Sequence, residues 1–151
     1  MVLSSIFRIG ITINSMNQVI RIHMRLTNRL KSFNRIPKWV STFPHEMDRM
    51  ALTQLAKNSK GPFEKEREMN FSLFDFETST PFEEVGAKIE EHGEGWVYIT
   101  QPQAEAPGRV ALTATKKDYT FTQSNYITDV AFFQQLARMY GAQYDGWFAS
   151  N

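Results

Sequence analysis

The residues of this chain best suited to chemistry are three histidines and sixteen carboxylates. His23, His45 and His92 are scattered along the sequence. The "HEMDR" stretch that begins at His45 places Arg49 where a zinc-protease helix needs its second His. There is no Cys, so disulfides, thiolate metal sites and Cys nucleophiles are excluded. That absence also fits a reducing compartment. No glycine-rich phosphate loop is present. Carboxylates are dense in "FEKERE" and at Glu83, Glu84, Glu90, Glu91 and Glu94. Strand and helix periods put most of these on solvated faces, the ordinary place for such charges. The expectation is therefore no catalytic residue, no metal ligand set, no cofactor and no small-molecule substrate.

One further stretch calls for a role. The chain ends in "YDGWFASN". Asp-Gly between apolar residues normally reads as a hairpin turn, but five residues are too few for a returning strand. The stretch is then either a terminal strand that closes a sheet or a surface that another molecule reads. Tyr144, Asp145 and Trp147 are the candidate partner-binding residues on the second view.

The elements that must position these residues follow from periodicity. "MDRMALTQLAKNSK" predicts a short helix capped by Asp48, with Met50, Leu52, Leu55 and Ala56 as its apolar stripe. "EREMNFSLFDF" alternates, which predicts a first strand over 66–76 with Met69, Phe71 and Leu73 on one face. "TSTPFEEVGAKIEEHG" predicts a helix capped by Thr80, with Pro81 first and Glu83 completing a capping box. Its face is Phe82, Val85 and Ile89, and Gly93 ends it. "EGWVYITQP" predicts a second strand, with Trp96, Tyr98 and Thr100 opposite Val97 and Ile99. A short loop leads to a third strand in "RVALTATKKDYTF", paired antiparallel with the second. "NYITDVAFFQQLARMYG" predicts a second main helix buried through Val130, Phe133, Leu136, Ala137 and Tyr140, with Gly141 at its end. Residues 142–148 form the last strand.

This order is β-α-β-β-α-β after a short helix. It predicts an α+β, ferredoxin-like sandwich: a four-stranded antiparallel sheet with helices on one face. The last strand closes the sheet against the first. Tyr144 and Trp147 would lie on opposite faces of a regular strand, and Trp147 would share a face with Asp145. A bulge at Gly146 resolves the conflict by turning the ring to the other face.

Charge divides the chain near Pro44. Residues 1–45 carry seven basic residues and no acidic one; residues 46–151 carry ten basic and sixteen acidic, a balance of −6. The division predicts a basic extension over 1–45 outside the domain, and a domain over 46–151. In the extension Arg21, Arg25 and Arg29 recur every fourth residue beside Ile22, Leu26 and Leu30. Such a stripe suits an anionic membrane or nucleic acid, and its composition suits a transit peptide. A further reading takes it as an upstream extension of a start nearer Met47 or Met50. No apolar run approaches the roughly 18 residues of a membrane span, so membrane contact is confined to residues 1–45.

Two functions common on such folds can be weighed. An acylphosphatase-like activity wants cations and amides after the first strand, where this chain has the acidic "DFETST". An RNA-binding sheet would use Trp96, Tyr98, Tyr119, Phe121 and Trp147 to stack bases. The balance of −6 argues against it, because phosphate contacts supply most nucleic-acid affinity. An interaction domain with some other protein partner stays open.

From about Ala51 to Trp147 the chain resembles the family of the regulator of ribonuclease E activity B, small bacterial inhibitors of that nuclease. The likeness rests on "ALTQLAKNSKGPFEKEREMNFSLFDF", on the order of elements, and on "LARMYGAQYDGW" with its "DGW". The resemblance implies a non-enzymatic, cytoplasmic protein that binds ribonuclease E, largely outside its catalytic part, and slows RNA decay. Residues 1–45 have no counterpart in the family. The long acidic tail of some members has none in the residues after Trp147; if that tail supplies attraction to a basic partner, binding here should be weaker or should use another surface.

Overall fold

The structure, a computed structural model, describes residues 36–59 and 61–150. The arginine stripe of residues 21–30 lies outside the described residues. Eight elements follow in order: α1 (Lys38–Ser41), α2 (Glu46–Asn58), β1 (Arg67–Glu77), α3 (Phe82–His92), β2 (Trp96–Pro102), β3 (Arg109–Tyr119), α4 (Gln123–Met139) and β4 (Gln143–Ser150). The strands form one sheet in the order β2-β3-β1-β4, and every neighbouring pair is antiparallel. This is the expected ferredoxin-like α+β arrangement, with β4 closing on β1.

Alternation in the strands decides which face is covered. Met69, Phe71 and Leu73 of β1 are fully buried, as are Leu112 and Ala114 of β3. Phe71 stacks on Phe133 of α4 at 4.5 Å, and Trp96 meets the same ring edge-on at 5.1 Å. In α3, Val85 and Ile89 are buried and Phe82 packs against Phe76. Each such side chain contributes about 1.5–3 kcal/mol when fully buried. Gly86 permits the closest approach of helix to sheet: a Cβ there would lie 2.5 Å from Tyr98 Oη. Gly141 follows α4 with φ 66°. The Ala142 amide reaches back to Ala137 O (2.8 Å) and the Gly141 amide to Arg138 O (3.3 Å), a double closure that left-handed glycine allows.

Two caps differ from expectation. The N-cap of α3 is Pro81, which makes no side-chain cap bond. The Thr80 amide instead donates to Glu77 O in the preceding turn, so Thr80 and Glu83 do not form the capping box. The cap of α2 is His45, whose Nδ1 accepts from the Asp48 amide; Asp48 sits inside the first turn.

Packing also runs past the charge boundary near Pro44. Val40 is fully buried, and Ile36, Trp39 and Phe43 pack against the core. The Trp39 ring lies 5.8 Å from Phe63 and 6.1 Å from Tyr126, and Phe43 meets Tyr126 at 5.4 Å. Charge marks residue 45, but the apolar contacts begin upstream of it. Here Trp39, Val40 and Phe43 outweigh the local charge, because burial follows apolar area.

Candidate interaction site

Strand β4 carries the residues expected to meet a partner. Along β1, Ser72 pairs with Gly146 and the next residue, Leu73, with Tyr144. Asp145 is the extra residue of a bulge, and Gly146 adopts φ 107°. The bulge puts Tyr144 and Trp147 on the same, helix-covered side. Tyr144 pairs with buried Leu73, and Trp147 with buried Phe71. The Trp147 ring packs on Phe121 (5.5 Å) and Tyr126 (5.8 Å). Its Nε1–H donates to Tyr126 Oη (3.0 Å), and Tyr126 donates in turn to Asp48 Oδ1 (2.5 Å). The chain of bonds ties β4 through α4 to α2. Burial first, and then Asp48, push the Tyr126 pKa well above its ordinary value; burial does the same for Tyr144. Asp145 alone of the three is exposed. No single patch joins all three.

The five aromatics considered for base stacking are all on the covered face or beside it. Trp96, Tyr119 and Phe121 are buried; Tyr98 and Trp147 are half-buried against the core. The opposite face of the sheet is bare. Its middle rows run Val97–Thr115–Asn70–Phe148 and Ile99–Thr113–Ser72–Gly146 from β2 to β4. Val97, Ile99 and Phe148 are more than half exposed, and these rows hold no charged residue. Thr115 Oγ1 donates to Asn70 Oδ1 (2.6 Å), which explains how Asn70 is satisfied at 4% exposure. These middle rows offer stacking area from one ring, Phe148, and no cation for a phosphate.

Two polar clusters went unread in the sequence. His92, at the end of α3, bonds Asp129 of α4 through Nε2 at 2.6 Å and stacks flat on Phe132 at 3.8 Å. The pair borders a polar cavity of about 430 Å³ that also touches Lys116, Asp118, Tyr119 and Ser124. Its partners are 37 residues apart, and no periodicity signals such a contact. The second cluster surrounds Asp75, which has φ 64° at a bulge in β1. Gln103 Oε1 accepts from its amide (2.7 Å), and Gln103 and Gln143 each donate to its carboxylate at 3.1 Å. A left-handed non-glycine residue needs such over-determination. Among the described residues, no group of three or more His, Asp or Glu is arranged to hold a metal ion. Among them also, no helix is long and apolar enough to cross a membrane.

The molecule is thus a ferredoxin-like α+β protein. The chain belongs to the family described as regulator of ribonuclease activity B, whose family model matches residues 45–148. No curated protein and no solved structure matches it. A regulator of ribonuclease activity has a nuclease as its object, and a protein partner follows from the family.

Proposed function

We propose that this chain is a non-enzymatic, cytoplasmic regulator that binds ribonuclease E and slows RNA decay by contact with the nuclease, not with RNA. Family membership supplies the nuclease as object. The observation that carries the rest is the placement of the aromatic rings. The side chains that would stack bases are occupied in the core, and the middle rows of the bare face hold none of the cations that RNA affinity requires. Of the three β4 candidates, Asp145 is the one whose side chain can meet the partner, while Tyr144 and Trp147 shape the strand behind it. The test is a cleavage assay with ribonuclease E and increasing full-length chain, beside an RNA-binding titration without the nuclease. The expected result is inhibition that saturates with nuclease concentration and no RNA affinity at physiological salt. Micromolar binding to RNA alone overturns the reading, as does cleavage unaffected by a large excess of the chain.

A further inference from the structure

Helices α3 and α4 leave a groove of about 290 Å³ between them. Phe132, Leu136 and Met139 of α4 supply its apolar lining; Lys88, Glu91 and His92 of α3 supply the rim. Met139 is 53% exposed at the groove and offers apolar area to whatever enters it. The solvent side of α3 is acidic. Glu83, Glu84, Glu90 and Glu91 are exposed against one cation, Lys88, and Glu94 follows just beyond the helix. Glu84 stands at the α4 side, where it accepts from Tyr140 Oη at 2.8 Å. The groove therefore combines an apolar floor with a polar rim that carries Glu91 and is set on an acidic helix.

A ligand that fits must carry apolar side chains flanked by cations. The chain's own sequence holds such a segment: Arg21, Arg25 and Arg29, each followed directly by Ile22, Leu26 or Leu30, with no acidic residue in the first 45. We propose that the α3–α4 groove is the docking site for this chain's own basic segment, residues 21–30. The arginines would meet Glu91 at the rim and Glu84 beside it while the aliphatic residues cover Met139 and Phe132. Reach permits it. Ile36 packs against the core, and α1 beside it contacts Tyr126, near the start of α4. From Tyr126 to Met139 the helix advances about 20 Å, and the six steps from Leu30 to Ile36 can span about 20 Å. The bare sheet face is a poorer seat, because its central rows offer the arginines no carboxylate.

The absence of native Cys makes a direct test simple. Two full-length double variants are compared: Asn28→Cys with Met139→Cys, and Asn28→Cys with Val97→Cys as control. Met139 and Val97 are both exposed, so the fold is undisturbed. Intramolecular disulfide closure is followed at low protein concentration by non-reducing electrophoresis and mass. The expected result is closure at least tenfold faster for the 28/139 pair. Glu84→Lys with Glu91→Lys should slow that pair to the control rate, and so should 1 M salt, where the screening length falls to about 3 Å. Equal rates in both pairs overturn the proposal. So do disulfides that form chiefly between molecules, which would assign the groove to a second copy. Because no nuclease enters the experiment, its failure leaves the proposed function standing.

Discussion

The bulge in β4 makes a prediction that couples two changes. Gly146 has φ 107°, a conformation that side chains with a Cβ rarely adopt, yet a Cβ there would meet nothing within 4 Å. The cost of Gly146→Val is therefore backbone strain, not a clash, and should be about 1–3 kcal/mol. In a domain of this size that lowers Tm by roughly 4 °C per kcal/mol. Asp145 is the residue that creates the strain, since Tyr144 and Gly146 pair with adjacent residues of β1. Deleting Asp145 leaves the pairings of Tyr144 with Leu73 and Trp147 with Phe71 intact. It also restores strict alternation: Tyr144 in, Gly146 out, Trp147 in. On that background Gly146 becomes an ordinary strand residue, and Gly146→Val should be neutral or stabilising by up to about 1 kcal/mol. The measurement is a urea-denaturation cycle over wild type, each single variant and the double. A cost for Gly146→Val that is the same with and without Asp145 would refute the argument. So would a deletion that unfolds the domain, because the register would then depend on the bulge itself.

Three further predictions rest on the covered face. Val40→Ala should destabilise the protein by about 2 kcal/mol, near the value of two buried carbon groups, measured as a shift in urea midpoint; a change under about 0.3 kcal/mol would put α1 outside the cooperative unit. Trp147→Phe should cost about 1–2 kcal/mol through the lost donor to Tyr126, and Trp147→Ala about 2–4 kcal/mol, since the ring is half-buried. Unchanged melting in both variants would mean that the ring serves an exposed patch. Tyr119, Tyr126 and Tyr144 have pKa values pushed up, in each case by burial first, and Tyr140 is raised to about 12. Raised folded values mean that their stabilising share is complete below the unfolded value of about 10 and is lost as pH climbs above it. Tyrosinate absorbance at pH 11 should thus stay well below its unfolded-state level until the protein unfolds.

The sequence made faces legible wherever alternation or helical spacing was unbroken. Met69, Phe71 and Leu73 shared one side of β1 as read, and Val97 with Ile99 one side of β2, while the structure alone shows that the β2 pair lies on the bare side. The bulge at Gly146 was legible too, because Asp145 and Trp147 cannot share a buried face. What stayed illegible depends on contacts distant in sequence. His92 finds Asp129 only once α3 and α4 are packed, and Asp75 finds Gln103 and Gln143 only once three strands are aligned. Caps failed for a local reason: Thr80 had the right residue type, but its backbone is committed to the turn after β1. The change of charge at residue 45 did not reveal the apolar contacts of Trp39 and Val40, because charge count says nothing about which neighbouring side chains are buried.

These separate outcomes bear on function in one direction. A β-sheet can present its aromatics to a helix layer or to a ligand, but a given ring serves only one of the two. Here the bulge turns Trp147 inward, and the register holds Trp96 and Tyr119 there with it. The outward faces include a sheet surface whose middle rows, from Val97 and Ile99 to Phe148, hold no charge, and an acidic helix, α3. Neither attracts a polyanion, whereas α3 attracts a cationic protein surface at long range and the neutral sheet adds apolar area on contact. If that division is right, raising salt should slow association with the nuclease more than it speeds dissociation. Val97→Asp should do the reverse, leaving the association rate largely unchanged while shortening the life of the complex. Surface-immobilised ribonuclease E with the full chain in solution would measure both rates. A Val97→Asp variant with both rates unchanged would remove the sheet face from the interface and leave α3 as the whole of it.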